Sequence, residues 1–158
     1  AASGGVPKNS FVISLETSRE LPGVKMGGGV ILRVGDRASV FDSDGTRFLA
    51  EVGGDLKKSK RFQFQRGLMS GGTCEATAYQ EFGFQTAAVC VALGNYHNCG
   101  KTNRITAEFV STNDALNMVE LLSAAARQMP RYSKLTARLR DRLNRLLREA
   151  KRELARSV

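Results

Sequence analysis

The chain has 158 residues, of which 42% are hydrophobic, and a formal net charge of +9. This length suits one domain that can bury a core, and no apolar run reaches the roughly 18–20 residues of a membrane-spanning helix. The three cysteines show no CxxC spacing, which argues against a disulfide framework or a structural zinc site. Unpaired thiols, together with the lack of a signal-peptide pattern, predict a cytoplasmic protein.

The positive charge is concentrated near the end of the chain. Residues 131–158 contain ten basic and three acidic residues and therefore carry +7 of the total charge. The preceding 130 residues are close to neutral. Any hypothesis that starts from overall basicity is therefore a hypothesis about the last segment alone.

Strand-like and helix-like segments alternate in the first part of the chain. Apolar runs predict strands at Phe11–Glu16 and Val30–Val34, separated by a glycine-rich loop. A helix capped by Asp42 or Ser43 is expected to end near Leu56.

The alternation continues in the middle of the chain. Polar and apolar residues alternate over 61–65, which predicts a half-buried strand. A helix is expected at Cys74–Phe82, followed by strands at Ala87–Leu93 and Ile105–Val110. Such an order favours an α/β fold with three layers, αβα, around a mixed sheet.

Two helices are predicted to close the chain. Ser111 and Asp114 have the spacing of an N-cap with an acidic partner, which opens a helix over Ala115–Met129. Pro130 is expected to separate this helix from the last one. The sequence thus divides into residues 1–129 and a long basic amphipathic helix over 130–158. In the helix predicted over Ala115–Met129, the apolar face consists of Leu116, Val119, Leu122 and Ala126.

The last helix carries a stripe of leucines among arginines. The favoured interpretation is a helix that packs against the domain or a partner subunit, with its charges solvated. An acidic partner, RNA or another nucleic acid, or an anionic membrane surface are the alternatives. The segment has no interleaved aromatic residues to stack on bases, which counts against specific single-strand recognition.

Few polar groups follow the predicted strands. They are Glu16, the turn Ser70–Glu75, and His97 between Asn95 and Asn98. Groups at strand ends share one crevice in an open α/β sheet, and a carboxylate with an imidazole is a common zinc ligand pair. The amides of a Gly-Gly-Thr turn suit an anion.

Each of these residues also has a simpler interpretation. His97 is the only histidine and could be an ordinary surface residue. Glu16 could pair with Arg19 or Lys25. Cys74 could be a nucleophile at a helix N-terminus, although no second histidine is present to activate it.

The order of these motifs resembles the C-terminal part of the catalytic domain of dinuclear-metal aminopeptidases, the glutamyl and tetrahedral aminopeptidase group. The resemblance covers about residues 10–125, and its strength lies in the order and spacing of the motifs. The matching segments are Ile13–Ser18, Pro22-Gly23-Val24, Gly27–Arg33, Ser70–Ala76, Gly83–Thr86, Gly94–His97, Glu108–Val110 and Asp114.

The resemblance implies a zinc-exopeptidase-like fold and two divalent metal ions, with zinc expected and cobalt or manganese as alternatives. Glu16 would bind one metal and His97 the other. The turn Gly71-Gly72-Thr73 and the adjacent Glu75 would line the substrate site.

The family's other metal ligands and its general base have no counterpart here, so the fold would be incomplete and the missing N-terminal half a required partner. The intact protein would hydrolyse N-terminal peptide bonds as a homo-oligomer, and this chain alone would be inactive. The alternative is a non-enzymatic binding or assembly module that uses its basic helix. Cys74-Glu75 stands where the family has aspartate after Gly-Gly-Thr, and Asn95-Tyr96 replaces its Arg-Tyr, so substrate preference does not transfer.

Overall fold

The computed structural model describes residues 4–58, 61–100, 102 and 104–156. Short 3₁₀ turns at Tyr96–Asn98 and Met129–Arg131 join some of the longer elements. The strands and α-helices in the described ranges are β1 (Phe11–Arg19), β2 (Val30–Gly35), α1 (Ser43–Leu56), β3 (Phe64–Leu68), α2 (Glu75–Glu81), β4 (Gln85–Gly94), β5 (Phe109–Val110), α3 (Thr112–Gln128) and α4 (Tyr132–Leu154).

The sheet is mixed and has the strand order β1-β4-β2-β3, with β5 paired to the end of β4. Strands β1 and β4 run parallel over their whole length, from Phe11 opposite Gln85 to Arg19 opposite Leu93. Strand β2 is antiparallel to β4 and parallel to β3. The carboxyl ends of β1 and β4 therefore open on the same edge of the sheet.

Helices cover both faces of this sheet unequally. On one face, α1, α3 and the start of α4 pack over the sheet, and Phe48, Leu121 and Leu135 are completely buried there. On the opposite face, the single short helix α2 places Ala76 against Ala88. The predicted three-layer α/β fold is confirmed, and its thinly covered face leaves room for a site.

The helix α1 forms where the sequence predicts it. The Asp42 side chain accepts a hydrogen bond from the amide of Gly45 at 2.6 Å, which satisfies one of the unpaired donors at the start of the helix. The helix ends at Leu56, as expected.

Two predicted strands differ in position from those observed. The strand expected at 61–65 begins only at Phe64, because the amide of Gln63 donates to Asn117 Oδ1 at 2.5 Å instead of to a neighbouring strand. The strand expected at Ile105–Val110 is reduced to β5, and Ile105 forms only an isolated bridge with Cys99.

The predicted apolar face of α3 is wrong for three of its four residues, since only Leu122 packs against the core. Leu116 and Val119 are 60% and 61% exposed, and Ala126 is exposed as well. The helix instead buries the face that carries Asp114 and Asn117. These two polar side chains are buried because they bind backbone amides of the loops beneath the helix, a role that hydrophobic periodicity does not reveal.

Asp114 fixes the glycine-rich loop that follows β1. Its two carboxylate oxygens accept hydrogen bonds from the amides of Gly27 at 2.7 Å and Gly29 at 2.9 Å. Gly29 has φ +88°, and a Cβ there would lie 2.0 Å from the carbonyl oxygen of Gln63. The loop can therefore approach α3 and β3 only with glycine at this position.

Only the first part of helix α4 packs against the rest of the domain. Leu135 is buried in the core, and Arg138 pairs with Glu51 at 2.8 Å and with Asp55 at 3.3 Å on α1. Every residue from 139 to 156 is exposed. None of the helices in the described ranges is long and apolar enough to cross a lipid bilayer.

We expect Asp114→Ala to destabilise the fold by about 2–4 kcal/mol, because two hydrogen bonds from buried amides to a charged acceptor are lost. Chemical denaturation with urea would measure the change. Glu120→Ala on the exposed side of α3 is the matched control and should change the free energy of unfolding by less than about 0.5 kcal/mol. Equal effects of the two substitutions would contradict the role assigned to Asp114.

Candidate active site

A cavity of about 80 Å³ lies at the edge where β1 and β4 end. Its wall brings together residues that are far apart in the chain. The predicted ligand Glu16 and the predicted substrate turn Gly71-Gly72-Thr73 both line it, together with Arg33 and Tyr96. The structure thus joins four of the six residues that the sequence singled out.

Glu16 reaches the cavity from within β1 rather than from its end. The strand continues for three residues beyond Glu16, to Arg19, so the expected strand end is wrong. The side chain is half-buried, and Ser14 Oγ donates to Glu16 Oε1 at 3.3 Å. The parallel register places Glu16 opposite Cys90 on the same face of the sheet.

His97 lies in the 3₁₀ turn that follows β4, and its backbone has φ 58°. Its ring stacks on that of Tyr96 with the centroids 4.0 Å apart, and its amide donates to Glu108 Oε1 at 2.8 Å. The imidazole is exposed and is not part of the cavity wall, whereas the neighbouring Tyr96 is.

Left-handed backbone is a feature of this whole turn. Asn95 and Asn98 also have positive φ, 52° and 59°. Such conformations cost free energy for residues other than glycine and cluster at functional sites.

Asp36, in the turn after β2, holds the residues that follow the Gly71-Gly72-Thr73 turn in place. Its carboxylate accepts hydrogen bonds from the amide of Cys74 at 2.8 Å and from Thr77 Oγ1 at 2.7 Å, in addition to the amides of Ala38 and Ser39. Burial by itself would raise the pKa of Asp36, but these hydrogen bonds outweigh burial and lower the pKa below its ordinary value. The start of α2 is thereby tied to the turn after β2.

No protein-family model matches the chain, and no curated protein matches it either. Solved structures do. The PhTET1 dodecamer is 26% identical, with a TM-score of 0.58 over 79% of this chain. The Pyrococcus horikoshii TET1 peptidase, which can assemble into a tetrahedron or a large octahedral shell, is 20% identical, with a TM-score of 0.59 over 78%. An M18-family aminopeptidase from Thermotoga maritima is 20% identical, with a TM-score of 0.54 over 75%.

The chain is a partial domain of the aminopeptidase fold. It spans 35%, 34% and 29% of the length of those three structures. The resemblance inferred from the order of the sequence motifs is thereby confirmed at the level of the fold.

The residues predicted to bind metal do not form a complete ligand set in the described part of the chain. Across 4–58, 61–100, 102 and 104–156, the side chains form no group of three or more His, Cys, Asp or Glu residues that could hold a metal ion. Glu16 lies in β1 and His97 in the turn that follows its parallel neighbour β4, and a carboxylate oxygen and an imidazole nitrogen are donors that suit zinc. These two donors would hold a metal ion only together with further ligands.

Arg33 lines the cavity, and the sequence did not single it out. It is only 3% exposed, and its Nη1 atom lies 3.4 Å from Ser18 Oγ. Its Nε atom has no hydrogen-bond partner among the described residues. A charged residue inside an apolar strand is the signal that could have revealed it, because a buried arginine normally requires partners.

The surroundings of Cys74 do not favour the thiolate that a nucleophilic cysteine requires. Burial raises its pKa; the amide of Ala76 and the charge of Arg33 oppose this only in part, and Glu16 and Asp36 add to it. A thiol with a raised pKa stays protonated at neutral pH, whereas nucleophilic attack requires the thiolate.

Glu75 is the predicted substrate residue that lies furthest from this arrangement. It is the first residue of α2, is exposed, and does not line the cavity. Its role in substrate binding stays a prediction.

Asp36→Asn should destabilise the domain by about 2–4 kcal/mol at neutral pH, because the new amide group would direct its own N–H bonds at hydrogen-bond donors. The folded-state pKa of Asp36 is lowered, so its contribution is complete above the ordinary value of 3.8 and is lost as the pH falls below it. Denaturant titrations between about pH 3 and pH 7 would show a smaller pH dependence in the variant.

Two further substitutions serve as comparisons for the unfolding free energies of Asp36→Asn. Thr77→Val removes the hydrogen bond to Asp36 and the one between Thr77 Oγ1 and Ser39 Oγ, and should cost about 2 kcal/mol. Asp141→Asn on the exposed part of α4 should have little effect. An unchanged pH dependence in Asp36→Asn would refute the role assigned to this carboxylate.

Proposed function

We propose that this chain provides part of the active site of a metal-dependent aminopeptidase, a hydrolase that cleaves N-terminal peptide bonds. The observation that carries the proposal is the shared cavity. Glu16, from β1, and the Gly71-Gly72-Thr73 turn line one space at the edge where β4 delivers Tyr96 and His97. The similarity to aminopeptidase structures supports the same function.

In this proposal Glu16 binds one divalent metal ion and His97 the other. Zinc suits these ligands, and cobalt or manganese are chemically possible. The metal pair, when bound, supplies the Lewis acidity that polarises the carbonyl of the substrate and activates water. The imidazole of His97 is exposed and can turn toward a ligand without loss of core packing.

The other residues of the site act on the peptide substrate. The exposed amides of the Gly71-Gly72-Thr73 turn suit a carbonyl oxygen or a carboxylate, while Asp36 keeps the turn fixed. We assign no residue of this chain as general base. The remaining ligands and the base come from the other part of an aminopeptidase domain, the N-terminal half, and without it the chain is inactive.

The proposal extends to assembly and location. The PhTET1 structure is a dodecamer, and the TET1 peptidase forms closed shells, so we propose a homo-oligomer here as well. The free cysteines Cys74, Cys90 and Cys99 fit a cytoplasmic location.

A second candidate function is a binding or assembly module that keeps the peptidase fold without catalysis. The observation that favours it is the exposed basic part of α4, which takes no part in the cavity. Metal binding separates the two candidates, because only the enzyme needs Glu16 and His97 as ligands.

We expect the isolated chain to bind zinc weakly, because two protein ligands are too few for a closed site. A longer polypeptide that includes any sequence encoded upstream of Ala1 should bind metal tightly and release N-terminal residues from peptides. In that polypeptide, Glu16→Gln and His97→Gln should each lower metal affinity at least tenfold, since loss of outer-sphere partners alone typically costs roughly 10–100-fold.

Competition with a zinc-sensitive dye would measure affinity, and release of amino acids from peptide amides would measure activity. Glu120→Gln, an exposed carboxylate on α3, is the matched control. Tight binding by the isolated chain that survives both ligand substitutions would exclude the assigned ligands. A longer polypeptide that neither binds metal nor cleaves peptides would favour the non-enzymatic module.

A further inference from the structure

The second part of α4 extends away from the domain. Among the described residues, the last ion pairs between this helix and the domain are those of Arg138 with Glu51 and Asp55, and Leu139 borders a groove on the surface of the domain. Residues 139–156 are all exposed, and the helical part of this segment is about 24 Å long. A helix of this length is marginally stable on its own in water and gains stability from a surface that covers its apolar side.

This segment carries a stripe of leucines that is open to solvent. Leu139, Leu143, Leu146 and Leu147 are 42%, 55%, 49% and 53% exposed. Their spacing of three to four residues puts them on one side of the helix. Four exposed leucines on one helix face are far more apolar surface than single scattered residues on an ordinary surface would give.

Cationic side chains flank the stripe. Residues 139–156 contain seven basic and three acidic residues. Helical spacing puts Arg140 and Lys151 along one side of the stripe and Arg142, together with Glu149 and Glu153, along the other. Long cationic side chains can lay their aliphatic stems beside apolar surface while their charges remain in a polar layer.

We propose that α4 beyond Arg138 is a membrane-surface helix that binds bilayers rich in anionic phospholipids. The leucine stripe would enter the boundary between headgroups and acyl chains, and the flanking arginines and lysine would lie at the level of the lipid phosphates. This combination of a strongly charged face and a narrow leucine face is that of helices that lie in the plane of a membrane surface.

Charge favours this partner over a second copy of the chain. Pairing two such stripes would bring two helices of net positive charge to within about 8–10 Å, a distance at which repulsion is only partly screened at physiological salt. A nucleic acid would satisfy the charge but leave the leucines in water, and the segment from 139 to 156 has no aromatic residue to stack on bases.

Co-sedimentation of the full chain with vesicles tests the proposal. We expect binding to phosphatidylcholine vesicles that contain about 30% phosphatidylserine, little binding to pure phosphatidylcholine, and weaker binding as NaCl rises from about 0.1 M to about 0.5 M. Leu143→Gln with Leu147→Gln should weaken binding at least tenfold while the charge is unchanged. Arg140→Gln with Arg142→Gln, which removes one flanking cation on each side of the stripe, should weaken it while the leucines are unchanged.

The matched control is Leu116→Gln with Val119→Gln, which alters two equally exposed apolar residues on α3 and should leave vesicle binding unchanged. Thermal unfolding of each variant checks that the domain remains folded. Absence of binding to anionic vesicles would overturn the proposal, as would binding that the Leu143 and Leu147 substitutions do not weaken. Self-association in analytical ultracentrifugation that those substitutions abolish, without vesicle binding, would assign the stripe to a second copy instead.

Discussion

The parallel pairing of β1 with β4 is the constraint on which the rest of the molecule depends. Nine consecutive residues of each strand are in register, so the position of Glu16 relative to the end of β4 is fixed by the backbone ladder. A slip of one residue would turn Glu16 to the opposite face, where α1 and α3 pack, and would expose the apolar side of β1. The register that builds the core therefore also places the predicted ligands at a common edge.

Two buried carboxylates then attach the loops to this framework. Asp114 binds the amides of the glycine-rich loop after β1, and Asp36 binds the turn that lines the cavity. Both use charge-assisted hydrogen bonds to backbone, which are stronger than neutral ones and do not depend on the identity of the loop side chains. The side chain of Cys74 takes no part in this arrangement, because Asp36 contacts only the amide of that residue.

The sequence predicts the fold well where hydrophobic pattern and caps agree. The apolar run that became β4 and the Asp42 cap of α1 were located to within two residues. The prediction of the buried face of α3 failed because Asp114 and Asn117 are buried through hydrogen bonds. The periodicity of apolar residues cannot detect such burial. The site was predicted only in part: the order of motifs pointed to Glu16 and the substrate turn, whereas Arg33 lies within an apolar strand and Asp36 had only the signature of a turn.

The unpaired edge of β1 affects how the chain associates in solution. In the described part of the chain β1 pairs with β4 alone, so the other side of this nine-residue strand presents a row of amides and carbonyls without a neighbouring strand. Leu15 on this strand is 55% exposed. An open edge of this length is a template for addition of another strand. Concentrated samples of the isolated chain are therefore prone to join edge to edge, and covering this edge would favour the single, soluble form.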